Sequence, residues 1–244
     1  MMRYQIDYID VKNSLKNYIW ILKDTHTQEI VVVDPTEASL VQQYCETHKV
    51  KIAQIWLTHW HKDHIGGVPY LIDGSHIPVY GPREELSKIP FITHPLQHEN
   101  QFQFNQLHIE VLATPGHTLG HIVYFIEENG SLFCGDTLFA MGCGRLFEGS
   151  FEQMYHSLNR IAALPTNTKV YCTHEYTLAN AEFAITVEPD NLALQERLKT
   201  VQLLRSNNEI TLPSTIALEL ETNPFLRTES VEEFAKIRTL KDQF

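Results

Sequence analysis

The chain has 244 residues, 43% of them hydrophobic and 20% charged, so it can bury a sizeable core in one large or two smaller domains. Its formal net charge of -11 argues against broad contacts with nucleic acid, where phosphate binding needs a basic surface. No apolar run is long enough to span a membrane, and the first ten residues lack the pattern of a secretory signal. We therefore expect a soluble, cytoplasmic protein whose cysteines are reduced.

Strand and helix patterns alternate along the first two-thirds of the chain. The β-branched run Ile30–Val33 ends in Asp34-Pro35, which predicts a buried strand followed by a turn. Ala38–Thr47 carries apolar residues on one helical face, so it predicts an amphipathic helix. Ile52–Leu57 predicts another buried strand.

The middle of the chain predicts further strands and one capped helix. Asn129-Gly130 is a hairpin turn signal between two apolar runs. Ser150 with Gln153 has the spacing of a capping box and predicts a helix that runs to Ala163. Strands are predicted over Leu107–Leu112, Ile122–Ile126, Leu132–Cys134 and Lys169–Cys172.

Helical patterns dominate the last third of the chain. Asn191–Arg205 has apolar residues at helical spacing, behind Asp190 or Asn191 as the cap. Ser230 with Glu233 predicts a second capping box and a short helix to near Lys241. We therefore predict two domains, residues 1–174 and 175–244.

Four potential metal ligands fall within six residues directly after the predicted strand Ile52–Leu57. They are His59, His61, Asp63 and His64. A loop at the end of a buried strand can direct such side chains toward one point, and imidazole with carboxylate suits zinc, iron or manganese. The alternative is a polar surface loop rich in histidine, which explains one histidine better than four ligands.

Three further strand ends each present one ligand: His117, Asp136 and His174. Five histidines and two aspartates exceed the three protein ligands that one catalytic metal ion commonly uses, so the set predicts two ions. Asp136 is the natural bridge, because a carboxylate has two oxygens. We assign His59, His61 and His117 to one ion and Asp63, His64 and His174 to the other.

Other candidate ligands have simpler interpretations. His121 begins a strand and is grouped with the remaining surface or core histidines, although it lies only four residues after His117. Cys134 and Cys143 are interpreted as buried thiols. Asp34, at the end of an earlier strand, either supports a ligand through a hydrogen bond or only forms a turn.

At these residues the chain resembles the metallo-β-lactamase superfamily, in the motif His59-x-His61-x-Asp63-His64 and in the order of the three later ligands. Within it, the chain resembles glyoxalase II, the hydroxyacylglutathione hydrolase family. The family segments are Gly142–Gly149, His174–Thr177, Asn223–Arg227 and Arg238–Phe244. The resemblance implies an α/β fold, a four-layer αββα sandwich with a helical C-terminal domain that binds substrate.

The resemblance also implies which residues hold the glutathione part of the substrate. They are Arg145, Phe147, Tyr176, Arg238 and Lys241. Family members often have Lys and Tyr at the first two positions, so Arg keeps the charge whereas Phe removes a hydroxyl. From spacing alone, Arg238 and Lys241 share one helical face, and the alternative is a solvated helix end.

The implied reaction is hydrolysis of an S-(2-hydroxyacyl)glutathione, such as S-lactoylglutathione, to glutathione and a 2-hydroxy acid. It is the second step of methylglyoxal detoxification. A metal-bound hydroxide would attack the thioester, with Asp63 orienting it or taking up its proton. Two divalent ions, zinc first and iron or manganese as alternatives, are implied. We expect a monomer whose only partner is the small-molecule substrate, without nucleic acid or membrane.

Two alternative enzymes share the metal motif, and a third alternative is not an enzyme. A persulfide dioxygenase would use one iron and dioxygen, and its relatives lack this helical C-terminal ending. An RNA-processing nuclease would need a basic surface. A non-catalytic metal-binding module would favour a closed coordination sphere, whereas this set of histidines and aspartates leaves room for water.

Overall fold

The computed structural model describes residues 3–244 of the chain, which form two compact units. Unit 1 contains the residues up to Ala113 together with Gly120–Asn129. Unit 2 contains Thr114–Leu119 and Gly130–Phe244. Across the part of the chain described, no helix combines the length and hydropathy that a membrane span requires.

Unit 1 is built on a six-stranded sheet whose strands follow one another in chain order. The first three strands pair antiparallel to one another, and the third to the sixth pair in parallel. The third strand therefore has one antiparallel and one parallel neighbour. The strands are β1 (Tyr4–Asp10), β2 (Tyr18–Asp24), β3 (Glu29–Val33), β4 (Lys51–Trp56), β5 (Val79–Pro82) and β6 (His94–Leu96). The helices are α1 (Ala38–His48), α2 (Lys62–Ile65) and α3 (Val68–Ile72), with a single 3₁₀ turn at Arg83–Glu85.

One face of this sheet packs against helices α1 and α3. Ile30, Val32 and Ile55 form a buried cluster with Val41 of α1 and Val68 of α3. Full burial of one such side chain stabilises the fold by about 1.5–3 kcal/mol. This cluster holds β3 and β4 side by side, and β4 leads directly into the histidine loop.

An antiparallel meander packs against the opposite face of the sheet. Its strands are β7 (Gln101–Phe104), β8 (Leu107–Ala113) and β9 (Ile122–Ile126). The ring of Trp56 lies 5.2 Å from that of Tyr124 and 5.3 Å from that of Phe102. The Tyr124 hydroxyl donates a 2.7 Å hydrogen bond to the Leu57 carbonyl, so aromatic packing fixes the end of β4 from this side as well.

Unit 2 combines three sheet strands, a short hairpin and five helices. Strand β10 (Ser131–Gly135) runs parallel to β13 (Lys169–Cys172), which pairs antiparallel with β14 (Ser214–Thr215). The hairpin joins β11 (Leu138–Phe139) to β12 (Gly142–Cys143). The helices are α4 (Phe151–Ala162), α5 (Thr177–Val187), α6 (Leu192–Ser206), α7 (Ile216–Thr222) and α8 (Val231–Gln243).

Both predicted capping boxes have their serine cap, but only one of them is a complete box. Ser150 and Gln153 form the full capping box at the start of α4. At α8, Ser230 accepts from the Glu233 backbone N–H as predicted, but the Glu233 carboxylate accepts from the Glu229 N–H instead of closing the box. The prediction of a second capping box is therefore wrong for the hydrogen bond from the Ser230 backbone N–H to the Glu233 side chain.

The predicted helical character of the last third is confirmed, since β14 is its only strand within the described residues and has two residues. Asn191 caps α6 by accepting from the Leu194 N–H, which decides between the two cap candidates. The division into domains of residues 1–174 and 175–244 concerns function and stays a prediction.

Candidate metal centre and substrate site

The four candidate ligands of unit 1 lie in the loop after β4 and in the short helix α2. His59 Nε2 lies 3.0 Å from His61 Nδ1, and His64 Nε2 lies 3.5 Å from Asp63 Oδ2. The rings of His59 and His64 are fully buried, with centroids 4.0 Å apart. The loop therefore brings its imidazole and carboxylate groups into one cluster inside unit 1.

Asp34 fixes the orientation of two of these rings. Its Oδ2 accepts from His64 Nδ1 at 2.9 Å and from the Thr58 hydroxyl at 2.7 Å, while Oδ1 accepts from the Thr58 N–H at 2.8 Å. Because that hydroxyl donates to Asp34, it accepts from His59 Nδ1, 3.0 Å away. Both rings thus carry their proton on Nδ1 and leave Nε2 for a metal ion. Of the two interpretations of Asp34, the structure favours support of a ligand.

The three candidate ligands of unit 2 lie after β8, β10 and β13. Strands β10 and β13 are parallel, so Asp136 and His174 follow neighbouring strands at the same edge. Asp136 Oδ2 lies 3.3 Å from His174 Nε2 and 3.5 Å from His117 Nε2. His117 Nδ1 donates to the Arg145 carbonyl at 2.7 Å, which again leaves Nε2 for a metal ion.

The distances between ligand atoms suit metal coordination. Two ligand atoms at zinc distances of about 2.0–2.1 Å, in tetrahedral geometry, stand roughly 3.3 Å apart. The spacings within each unit run from 3.0 to 3.5 Å. Each of the seven side chains belongs to a group of His and Asp residues able to bind a metal ion. The donor set therefore fits the metal type that the sequence predicts.

A glycine allows the loop after the hairpin β11–β12 to lie against Asp136. A Cβ atom on Gly144 would stand 1.9 Å from the Asp136 carbonyl oxygen and 3.3 Å from His117 Nδ1. Any larger residue would displace the backbone of Asp136. The same close approach places the Arg145 carbonyl where it accepts a hydrogen bond from His117 Nδ1.

Arg145 and Arg238 of unit 2 share one carboxylate. Asp242 Oδ1 lies 3.2 Å from Arg145 Nε and 2.9 Å from Arg238 Nη2. The Arg145 guanidinium is exposed, whereas that of Arg238 is buried and also donates to the Cys143 carbonyl at 3.0 Å. The sequence indicates the charge of the two arginines but neither the burial of Arg238 nor the pairing of both residues with Asp242.

Lys241 lies in a partly apolar setting on helix α8. Its ammonium group donates to the Ala179 carbonyl at 3.1 Å and lies 5.0 Å from the ring of Phe183 and 5.1 Å from that of Phe244. Burial, together with the nearby Arg238 charge, lowers the pKa of the Lys241 ammonium to about 8. Lys241 can therefore lose its charge in a mildly alkaline solution.

Tyr176 and Phe147 lie beside the candidate ligands of unit 2. The Tyr176 ring stacks on the His174 ring with centroids 4.7 Å apart and an angle of 4° between the planes. The exposed Phe147 ring meets the His117 ring edge-on at 5.2 Å. Both positions lie beside proposed ligands.

The three residues that the sequence analysis did not assign as ligands, His121, Cys134 and Cys143, are all buried. His121 is buried, with its ring 4.8 Å from that of His59. Cys134 and Cys143 are buried, and burial raises the pKa of both thiols.

Both segments of the chain match family models. The metallo-beta-lactamase superfamily model matches residues 17–174, and the model of the hydroxyacylglutathione hydrolase C-terminus matches residues 175–244. Among solved structures, ETHE1 from Myxococcus xanthus aligns with a TM-score of 0.71 at 24% identity, covering 98% of this chain and 90% of that one. At this identity the likeness shows the fold alone, and the predicted α/β metallo-β-lactamase fold is confirmed.

Two curated relatives, both called hydroxyacylglutathione hydrolase, match nearly the whole chain. The one from Pseudomonas aeruginosa (strain LESB58) is 48% identical over 98% of this chain and 99% of its own length. The one from Gloeobacter violaceus is 46% identical over 95% and 98%. Fold and His/Asp groups together define an enzyme of the metallo-β-lactamase superfamily. Within that superfamily, the chain belongs to the hydroxyacylglutathione hydrolase family.

Proposed function

We propose that the chain hydrolyses the thioester of an S-(2-hydroxyacyl)glutathione, such as S-lactoylglutathione, to glutathione and a 2-hydroxy acid. The observation that carries this proposal is the near-full-length identity with hydroxyacylglutathione hydrolases, which includes the C-terminal segment particular to that family. Water adds to the thioester carbon, the carbon–sulfur bond breaks, and the leaving sulfur takes a proton. The reaction is the second step of methylglyoxal detoxification.

The proposed centre holds two divalent ions, zinc first, with iron or manganese as alternatives. When bound, such ions would acidify the attacking water and polarise the thioester carbonyl oxygen. His59, His61 and His117 would hold one ion and Asp63, His64 and His174 the other, with Asp136 between them. Asp63 would also orient the water or take up its proton, because a carboxylate has a second oxygen to offer.

The proposed glutathione site is formed by residues of unit 2, including residues of the predicted substrate-binding domain 175–244. Glutathione carries carboxylates, which a guanidinium and an ammonium group bind through charged hydrogen bonds. Arg145, Arg238 and Lys241 supply these charges, Tyr176 the hydroxyl, and Phe147 an apolar edge. Holding the remote glutathione part would place the thioester for attack.

The proposed setting of the reaction is the cytoplasm, with the chain acting as a monomer on a small-molecule substrate. The proposal is supported by Cys134 and Cys143, which are free thiols, as is usual in a reducing compartment.

Hydrolysis of S-lactoylglutathione by the purified, metal-loaded chain tests the proposed function. We expect a kcat/KM of at least about 10⁴ M⁻¹s⁻¹, with one thiol released per thioester lost. The lactoyl thioester of N-acetylcysteamine, which lacks the glutathione carboxylates, is the control and should react far more slowly. Oxygen uptake with glutathione persulfide, without thioester hydrolysis, would instead identify a persulfide dioxygenase.

The pH dependence of the reaction should reveal Lys241. The ammonium group is charged below its pKa of about 8 and neutral above it, so its attraction for a carboxylate is lost as the pH rises through that value. We expect KM for S-lactoylglutathione to increase across this range, and Lys241→Ala to increase KM about tenfold at pH 7. Lys241→Arg keeps its charge and should abolish the alkaline increase. The same increase with the N-acetylcysteamine thioester would contradict this role.

A further inference from the structure

Asn17 is a fully buried amide that contacts the proposed ligand Asp63. It is the last residue of the loop between β1 and β2. Its Nδ2 lies 3.1 Å from the Asp63 carbonyl oxygen and 3.1 Å from Asp63 Oδ2. The side chain thus donates both of its amide hydrogens to one residue, 46 positions further along the chain.

The orientation of the Asn17 amide is fixed by its neighbours. Asn13 Nδ2 donates to Asn17 Oδ1 at 2.8 Å, and the Asn17 backbone N–H donates to Asn13 Oδ1 at 3.1 Å. The backbone carbonyl and the ionised carboxylate of Asp63 can only accept. Rotating the amide by half a turn would place Oδ1 against these two acceptors, so only one orientation satisfies every group.

Asn17 binds Asp63 through both its backbone and its side chain. The Gly67 N–H, four residues after Asp63, donates to the Pro35 carbonyl, and Asn17 Nδ2 donates to the Asp63 carbonyl. The Asp63 side chain is 25% exposed, so packing restrains it only in part. The Asn17 bond holds Oδ2, which lies 3.5 Å from His64 Nε2.

We infer that Asn17 is a positioning residue that holds the Asp63 carboxylate in the orientation needed to bind a metal ion beside His64. The inference rests on the proposed function, in which Asp63 and His64 share one ion. A side chain that restrains a ligand without touching the metal commonly changes metal affinity by about 10- to 100-fold when removed. The loop between β1 and β2 is thus part of the metal centre, although it contains no ligand.

Zinc titration of the metal-free chain against a chromophoric chelator tests this role. Asn17→Ala should weaken one of the two zinc sites by about 10- to 100-fold and leave the other unchanged. Asn17→Leu, which fills the space without donating, should have the same effect if the alanine variant folds poorly. The matched control is Asn105→Ala, which removes an amide bonded to Asp24 in the same unit and should leave both sites unchanged.

A double-mutant cycle separates positioning from a general loss of structure. In an Asp63→Ala background, Asn17→Ala should produce no further loss of zinc affinity, because the carboxylate that it holds is absent. Two wild-type zinc affinities in Asn17→Ala, or an equal loss in both backgrounds, would overturn the inference. A wild-type chain that binds no more than one zinc ion would instead refute the proposed two-metal centre.

Discussion

Asp136→Ala is expected to reduce metal binding from two ions per chain to one or none and to lower kcat/KM for S-lactoylglutathione by about 10³-fold or more. The reason is that one Asp136 oxygen lies within 3.5 Å of two imidazole nitrogens, those of His117 and His174. Loss of the metal would remove several kcal/mol of transition-state stabilisation, and each 1.36 kcal/mol corresponds to a factor of ten. Elemental analysis of the purified variant and steady-state kinetics measure the two effects.

An exposed aspartate provides the matched control for Asp136. Asp73→Ala removes the same charge from the end of helix α3 and should leave the metal content and kcat/KM at wild-type values. If Asp136→Ala retained two ions per chain and full turnover, Asp136 could not be the bridging ligand.

Asp34→Asn is expected to weaken zinc binding by about 10- to 100-fold and to lower kcat/KM by a similar factor. The neutral amide keeps the size of the side chain, and Asn tolerates the left-handed backbone at this position (φ 49°). The amide has no negatively charged oxygen that could accept hydrogen bonds from both His64 and the Thr58 hydroxyl, as the Asp34 carboxylate does. We also expect the free energy of unfolding to fall by about 1–3 kcal/mol.

Asp24→Asn separates the two consequences of the Asp34 change. Asp24 is equally buried in unit 1, but its carboxylate binds Arg3 instead of a histidine. This control should lower stability and leave zinc affinity unchanged. Equal zinc affinities for Asp34→Asn and the wild type would show that His64 does not depend on Asp34.

The fold and the type of site could be predicted from local patterns. The β-branched run at Ile30–Val33, the capping box at Ser150 and the apolar spacing of Asn191–Arg205 depend on neighbours in sequence, and the corresponding elements are confirmed. The histidine motif predicted the superfamily, and the family models confirm it. Which ligand binds which ion stays a prediction.

The remaining features depend on contacts between distant residues. Asn17 supports Asp63 from the loop between the first two strands, and an isolated asparagine before an apolar strand has no distinguishing pattern. The burial of Arg238 follows from the position of the hairpin carbonyl at Cys143, which no helical periodicity can predict.

The hairpin β11–β12 has a consequence for how this family can be re-engineered. Three side chains of the last seventy residues hold its backbone: Asn180 binds the Ala140 carbonyl, Glu219 the Met141 N–H, and Asn223 the carbonyls of Phe139 and Gly142. A foreign C-terminal segment grafted after residue 174 would leave the backbone groups of the hairpin without these hydrogen-bond partners, unless it placed two amides and a carboxylate at the same positions. New specificities are therefore better sought by altering individual contacts than by exchanging whole segments.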